Sequence, residues 1–582
     1  MNRRIKMKKR MNLKQKSKLS KMLLTCKDSK GMVFIIVLAL LATLALVGTT
    51  SVVTTTTDLK VSNNYQNSIQ ALYVAEGGAK YGVGKLSQKL KTVLNPSTSD
   101  LCSITAPTIN GYNFDEFSVS KVGVGNTTAI TIGNFTGLTA LIQKYEIVSK
   151  AKRTENNPST AKVVQSVEDN LIPLFQFGIF YQDDLEILPG PNMTFSNGRI
   201  HSNSDIYLGA NATLSIDSKI TSAGDIFYRR KDNGSVPVGI VQIKDGSGNY
   251  QAMKIAGVIL DSDNPDWTAE ATNRWNGKVK STGHGIIELN LPLPGSSTSI
   301  EVIKKGDTLD PEDSTEPQEL LDARFYWKAG LRISEGIFYD RSGDTIDITN
   351  GGTVTTPLST QTIYDAREGK NITLTTIDLQ ALGTNTVALN ALNDPPAGIL
   401  YISESGTNTA IRLTNGSSLP SGGLTIASEN PVYIKGNYNL DNKPSAVAGD
   451  AVTILSNTWN DLNSVNLSNP PSQNLVNKVA GSTTVKTVIM AGHVATNGSQ
   501  YSGGVENFPR FLEKWSGKTF TYSGSLISLW QSEKATGNWV YGAPIYEAPT
   551  RIWSYGIDYN NLPPGTPVIR LVQKVGWQQD LD

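Results

Sequence analysis

The stretch that decides the fold is MVFIIVLALLATLALVGTTSVV, residues 32–53. It contains no charged residue, and as a helix it would be about 33 Å long at ~1.5 Å per residue, enough to cross a bilayer. A core helix of a soluble protein would show polar residues at helical spacing, whereas residues 34–47 are apolar apart from Thr43. We therefore predict one membrane span rather than a core helix. Its anchoring residues are Phe34, Ile36, Leu40, Leu44 and Val47.

The charge of the chain is divided sharply at this span. Residues 1–31 carry 12 Lys and Arg and one acidic residue, a net charge of +11, and the remainder carries −9. Positive flanks stay cytoplasmic, so we expect the N-terminus inside and the acidic bulk on the far side of a bacterial inner membrane. An acidic body also argues against nucleic acid as a partner. A cleavable secretory signal is the competing interpretation, but its apolar region is shorter, about 7 to 15 residues.

The two ends of the span carry a specific pattern. The basic leader ends in Lys30-Gly31, the apolar helix begins at Met32, and after the span residues 71–79 read ALYVAEGGA. Together these features resemble the N-terminal domain of PilX-type minor pilins. The resemblance implies that a prepilin peptidase cleaves after Gly31 and that the new terminus at Met32 is methylated. Ile36 departs from the pattern, because ordinary pilins have Glu at this fifth mature position.

The resemblance sets the expected role and the expected partners. We expect a minor pilin or pilus-tip component of a type IV pilus or related secretion filament, which assembles with other pilins and the pilus assembly machinery and contributes to surface adhesion. The precursor would lie in the membrane before it moves to the pilus or cell surface. A subunit at a tip tolerates Ile36, since it need not pair with a neighbour above it. The alternative is an unprocessed single-pass envelope scaffold.

The sequence after the N-terminal region contains short repeats. With 39% hydrophobic residues, 18% charged residues and 52 glycines, it is expected to be mainly β and dense in turns. Similar phrases begin at Ile179, Ile200 and Ile220, 21 and 20 residues apart, and again at Ile426. This spacing predicts a parallel β-solenoid in which Ile200 stacks on Ile220, and Ile206 on Ile226. An antiparallel sandwich with regular hairpins is the alternative.

The expected organisation follows from these patterns. Gly77, Gly78, Gly82 and Gly84 weaken a helix, so we expect the N-terminal helix to end near 86–90. Residues 507–515 carry apolar residues at helical spacing and predict a short helix. The predicted divisions are a basic leader (1–31), a transmembrane and pilin-like helix (32–90), a small β region (91–173), a solenoid-like body (174–500) with insertions at about 240–390, and a C-terminal β and aromatic cap (501–582).

The sequence offers little enzymatic chemistry. None of its three histidines, His201, His284 and His493, has a second ligand type at metal spacing, and GxSxG and GxxxxGK[ST] motifs are absent. Two cysteines, Cys26 and Cys102, cannot form a disulfide framework. We therefore expect no catalytic residue, no cofactor and no metal, and a protein that is not an enzyme.

Three further possibilities stay open. Acidic residues of two turns could bind Ca²⁺ or simply be solvated: Asp183, Asp184, Asp261, Asp263 and Asp266. The repeat would stack Asp184, Asp205 and Asp225 in a column, either as turn residues or as the carboxylates of a membrane-anchored β-helix carbohydrate-active enzyme. Aromatic residues of the last third could contact a glycan or another surface ligand: Trp515, Trp530, Trp539, Trp553, Trp577, Tyr541, Tyr546 and Tyr555.

Overall fold

The computed structural model describes residues 29–154, 159–295, 297–349, 351–352, 354–464, 474–558 and 561–581. Within them the chain is mainly β, with one long apolar helix at its N-terminal side. We call the long helix and the sheet that packs on it the stem, and the β-rich remainder the body. The predicted mainly β class and the predicted N-terminal helix are confirmed.

The stem combines both ends of the described chain. Its helix, Ser29–Thr92, is followed by a short helix, Thr98–Cys102. The four strands of its sheet are all antiparallel and lie in the order Tyr112–Ala129, Thr139–Arg153, Thr160–Pro173 and Val568–Leu581. The last strand comes from the range predicted as the C-terminal cap, so the chain returns to the stem after building the body.

The largest sheet of the body has eleven strands. All neighbouring pairs are parallel except the hairpin at one edge. In spatial order the strands are Val279–Lys280, Ile220–Ser222, Arg199–Ser202, Phe177–Tyr181, Leu526–Gln531, Val488–His493, Ser445–Gly449, Leu424–Ala427, Ile399–Ser403, Leu331–Ser334 and Ile337–Tyr339.

This order differs from the order of the chain. The chain enters in the middle of the sheet at Phe177–Tyr181 and adds strands outward to Val279–Lys280. It then crosses to the opposite edge and adds strands inward, until Leu526 pairs with Ile179 of the first strand. The chain therefore enters the body from the stem at a strand in the middle of this sheet, and it returns to the stem after Thr550–Ser554, a strand of a smaller sheet.

Five smaller sheets complete the body. Two are wholly parallel, two are parallel with an antiparallel hairpin at one end, and one is a two-stranded antiparallel hairpin. Their strands, sheet by sheet, are Ile226–Phe227, Ile206–Leu208 and Leu185–Ile187; Tyr250–Ala252, Ile240–Lys244, Thr213–Ile216 and Met193–Phe195; Lys254–Ile255 and Val258–Ile259; Leu358–Asp365, Lys370–Asp378, Thr409–Thr414, Val432–Lys435, Val452–Leu455 and Arg510–Phe511; Thr483–Lys486, Thr519–Ser523 and Thr550–Ser554.

The predicted stacking of the repeats is seen residue by residue. Ile200 pairs with Ile220 and Ile206 pairs with Ile226, in both cases in parallel register. All four side chains are fully buried in the main core of the body. These copies pair side by side in parallel and not as the antiparallel hairpins of the alternative. Burying one apolar residue on its counterpart in the next copy stabilises each added strand.

Short helices fill the corners of the body: Trp267–Trp275, Gln318–Ala323, Phe325–Lys328, Leu379–Thr384, Thr386–Leu392 and Asn474–Asn477. The first of them contacts the edge strand Val279–Lys280 and buries both of its tryptophans. Such a cover blunts an open sheet edge.

The predicted helix at 507–515 is wrong. A 3₁₀ turn spans Val505–Asn507, and Arg510–Phe511 joins a sheet as a short strand. Phe508 still has helical backbone angles (φ −64°, ψ −47°), but Pro509 after it has no N–H group to continue the turn. The apolar residues of the run are still buried, in a β context: Phe508, Phe511, Leu512 and Trp515.

Candidate assembly interface

The first half of the long helix is a bare apolar surface. Every residue from 31 to 66 is exposed. The helix from Gly31 to Thr92 is long and apolar enough to cross a membrane, with a mean hydropathy of 2.7 in its most apolar window and none of that window buried. The predicted anchors all lie on this surface: Phe34, Ile36, Leu40, Leu44 and Val47. A surface of this kind is compatible with a bilayer or with a bundle of similar helices.

Hydroxyl side chains within this surface are satisfied by the helix itself. Thr43 donates to the carbonyl of Leu40 at 2.9 Å, and Thr50 donates to that of Leu46 at 2.6 Å. Threonines further along, residues 54–57, do the same with carbonyls three or four residues back. The hydroxyl groups of these threonines therefore add no unpaired hydrogen-bond donor to the surface.

The predicted processing site lies at the start of the described helix. Gly31 and Met32 are both exposed, and no atom lies within 4 Å of where a Gly31 side chain would begin. Ile36 is also exposed, one turn further along. Residues 1–28 of the predicted leader lie outside the described residues. Cleavage between Gly31 and Met32 stays a prediction.

The second half of the helix packs on the sheet through one narrow face. Ala71, Ala75 and Ala79 repeat every four residues and are followed on the same face by Leu86 and Leu90, all at most 2% exposed. They contact a cluster on the sheet that includes Tyr145, Ile147, Ala151, Val163 and Val167. Small side chains let the sheet approach the helix closely. The second half of the helix is therefore fixed to the sheet, whereas the first half is exposed.

Two helix glycines are required by the same close approach. A side-chain carbon added at Gly78 would lie 2.4 Å from Ser149 Oγ, and one at Gly82 would lie 2.7 Å from Ile147 Cγ2. The helix also continues to Thr92, beyond the predicted end near 86–90. Packing against the sheet overrides the low helix propensity of these glycines.

A buried arginine ties the end of the helix to the last strand. Arg570 donates to the carbonyls of Leu90, Val93 and Leu94, with a distance of 3.0 Å to Val93. Its Nε lies 2.8 Å from Asp169 Oδ1, and both side chains are almost fully buried. Burial raises the pKa of Asp169, and the guanidinium charge opposes that rise. The sequence gives no local signal for this contact, which joins residues 480 positions apart.

The aspartate column predicted in the body exists, and its carboxylates bind backbone. Asp184 Oδ1 accepts a hydrogen bond from the N–H of Asp205 at 3.1 Å, and Asp205 Oδ1 accepts from the N–H of Asp225 at 2.8 Å. Lys231 pairs with the other oxygen of Asp184 at 2.7 Å. The carboxylates of Asp184 and Asp205 thus each support the turn before the next strand.

The acidic residues considered for Ca²⁺ are engaged in turns and ion pairs. Asp261 accepts from the N–H groups of Tyr228 and Asp263, at 2.9 and 3.1 Å, and Asp263 pairs with Arg229. Asp183 lies within 3.3 Å of the Gln531 amide. Asp266 precedes the helix Trp267–Trp275. Among the residues that the structure describes, no three His, Cys, Asp or Glu side chains form a group that could hold a metal ion.

The three histidines all have hydrogen-bond partners. His201 is fully buried, with Nε2 2.9 Å from Asn203 Oδ1 and Nδ1 2.8 Å from Thr221 Oγ1. Burial lowers the pKa of His201 to about 4, although the Asn203 hydrogen bond favours the charged ring. His284 and His493 bond Thr268 and Ser528 respectively, and burial lowers both of their pKa values. These are contacts that hold the fold together.

One pair of buried carboxyl groups was not singled out from the sequence. Glu186 lines a cavity of about 20 Å³, and Glu506 lies beside it. Burial raises the pKa of Glu506 to about 7 and also raises that of Glu186, which accepts from Thr496 and Ser502. A space of this size holds about one water molecule and excludes a sugar ring.

Most of the aromatic residues considered for ligand binding belong to the core. The nearly buried members are Trp515, Trp530, Trp553, Tyr546 and Tyr555. Trp539 is partly buried and packs edge-on against Tyr501. Only Tyr541, 58% exposed, and Trp577, 46% exposed, present large faces to solvent in this set.

The geometry defines a stem whose helix is free and apolar at one end and packed on a sheet at the other, with a large β body attached. Residues 30–80 match the family model described as PilX N-terminal. This segment is therefore a PilX-type N-terminal domain, which covers less than a tenth of the chain. Such a domain points to a role related to type IV pilus minor pilins, with other pilins and the pilus machinery as partners. No curated protein and no solved structure matches the chain.

Proposed function

We propose that the protein is a minor pilin or pilus-tip component of a type IV pilus or related secretion filament, and that it presents its body for surface adhesion. The observation that carries the proposal is the divided helix of the PilX-type domain. Its exposed apolar half is suited first to the inner membrane and then to the packed helices of a fibre, while its second half holds the body at a fixed position.

The direction of the chain and its processing belong to the same proposal. The basic leader stays in the cytoplasm, the prepilin peptidase cleaves between Gly31 and Met32, and the body is translocated. Ile36 leaves the chain without the carboxylate that ordinary subunits place at this depth. A subunit that occurs once per filament, at its tip, needs no such partner.

We further propose that the body is a parallel β-solenoid with insertions. Support comes from parallel pairs offset by 20 and 21 residues and from the aspartate column that links them. Because the chain enters the body in the middle of the largest sheet, strands extend from this entry point towards both edges of that sheet. Such a platform displays its loops to a glycan or another surface.

The proposal assigns no catalytic residue, and the use of the aspartate column in backbone hydrogen bonds supports this. A membrane-anchored carbohydrate-active enzyme would need carboxylates that face a substrate-sized cleft. Asp184 and Asp205 instead accept from neighbouring turns. We treat enzymatic activity as an outcome that the aspartate variants discussed below would reveal.

The decisive experiment is N-terminal analysis of the native chain. Mass spectrometry of protein from wild-type cells should give a terminus at methylated Met32, and cells that lack the prepilin peptidase should retain the leader. Gly31→Leu should block processing and remove the protein from sheared filaments. Gly48→Leu is the matched control, since Gly48 is also an exposed helix glycine with no atom within 4 Å. An intact leader on normally displayed protein would establish the envelope scaffold instead.

A further inference from the structure

A large cavity lies where the stem meets the body. Its volume is about 540 Å³, within the range of small-molecule sites. The walls come from Leu94 just beyond the helix, from residues 291–293, from residues 321–328, and from residues 566–568, where the last strand begins. The space is therefore bordered by segments that are distant in the chain and that the fold brings together, Arg341 and Pro396 included.

The walls are apolar and fixed in position. Pro292, Pro396 and Pro567 line the cavity and contribute no backbone N–H donors. Trp327 forms one wall, and its Nε1 donates to Glu316 Oε2 at 2.8 Å. Gly306 packs so closely on this indole that an added side-chain carbon would lie 2.3 Å from it. An occupant would meet a preformed surface that offers few hydrogen-bond donors.

One cation of the wall is available to an occupant. Arg341 is already used, with Nε 2.7 Å from Asp394 Oδ2 and a second bond to the carbonyl of Asp394. Lys328 is partly buried, and within the described residues its ammonium makes no hydrogen bond or ion pair. Lys328 Nζ lies 6.0 Å from the centre of the Phe325 ring. Burial lowers the pKa of Lys328 to about 8, against the attraction of Asp322.

We propose that this cavity binds an amphipathic carboxylate, with its apolar part against Trp327 and the proline walls and its carboxylate on the Lys328 ammonium. A desolvated ammonium without a partner is unfavourable, and a carboxylate satisfies it with charge-assisted hydrogen bonds. Glu319, which is half-buried, and Asp322, which is exposed, also border the cavity. Their charges disfavour ligands with several negative groups, so a single carboxylate fits best.

The test uses the full chain in lipid nanodiscs, with octanoate as the probe and octan-1-ol as its neutral counterpart. Binding is followed by saturation-transfer NMR and by the fluorescence change on titration. Lys328→Met should weaken octanoate binding by about tenfold or more. Lys91→Met is the matched control, because Lys91 borders the adjoining cavity and is exposed. It should change binding by less than about twofold.

Each outcome decides the proposal. Octanoate that binds the wild type and Lys91→Met, but binds Lys328→Met only weakly, supports it. Equal binding of octanol and octanoate, equal binding to all three chains, or no binding to the wild type would overturn it. Partition of the probe into lipid is common to all three samples and cancels in the comparison. Circular dichroism melting of Lys328→Met shows that the variant is folded.

Discussion

Arg570 and Asp169 form a buried ion pair, Nε to Oδ1 2.8 Å, at the point where the long helix ends. The same guanidinium occupies carbonyls of the last helical turn and of the residues that follow it. These carbonyls have no partner within the helix, and a cation at a helix C-terminus is favourable. The pair therefore joins helix, third strand and C-terminal strand, and the stem is complete only after the body has been made.

Replacing this arginine should destabilise the stem more than any change at its surface. Arg570→Met leaves Asp169 buried without its partner and uncaps the helix, so we expect a loss of about 3–5 kcal/mol. Urea unfolding of the full chain in detergent, followed by circular dichroism, measures it.

Two controls interpret that result. Lys574→Met, at an exposed position on the same strand, should change stability by less than about 0.5 kcal/mol. Arg570→Met combined with Asp169→Leu should cost less than the sum of the two single changes, because no buried charge is left unpaired. Additive losses would show that the two residues act independently.

Parts of the fold that depend on local pattern were predictable. The apolar run at 32–53 identifies the long apolar helix, and Ile200, Ile206, Ile220 and Ile226 fix the register of neighbouring strands before any contact is known. The first signal is a continuous apolar run and the second is a repeat of about 20 residues, and both can be recognised within a short stretch of the chain.

The remaining features depend on contacts that no local pattern records. Nothing near Ile179 indicates that its second neighbour is Leu526, and nothing near Leu90 indicates Arg570. The helix predicted at 507–515 was wrong because apolar spacing was given more weight than Pro509. The cavity beside Lys328 joins segments that are distant in the chain, and it was missed for the same reason as the ion pair.

Adjacent glycines of the long helix should respond oppositely to alanine. Gly77→Ala places a methyl group in open space and should stabilise the helix by up to about 1 kcal/mol. Gly78→Ala drives the same group into Ser149 and Phe114, and should destabilise the stem by about 1–3 kcal/mol. Thermal melting of the two variants provides the comparison. If both were stabilised, the helix would not lie against the sheet as described.

Variants of Asp205 in the aspartate column distinguish a role in the turn from a role in catalysis. Asp205→Ala removes the acceptor of the Asp225 N–H and should cost about 1–2 kcal/mol. Asp205→Asn keeps an acceptor oxygen and should cost under about 1 kcal/mol. Thermal denaturation measures both. A glycan-degrading activity that is present in the wild type and abolished by Asp205→Asn, with stability retained, would favour the enzyme over the display protein.

His201 should make the body sensitive to acid. The folded state favours a neutral ring, because the side chain is fully buried among the rings of Phe135, Phe177 and Phe180, and this burial outweighs the Asn203 hydrogen bond. With a pKa of about 4 in the folded chain against 6.5 for a free side chain, the unfolded state binds the proton first as the pH falls. Stability present above pH 6.5 is therefore lost progressively towards pH 4, up to about 3 kcal/mol from this group.

His201→Gln should lower the melting temperature near neutral pH but flatten its fall with acid, whereas His284→Gln, at a less buried ring, should keep most of the wild-type slope. Melting temperatures measured between pH 4 and pH 6.5 test this prediction. If their dependence on pH were the same in His201→Gln as in the wild type, the acid sensitivity would originate elsewhere.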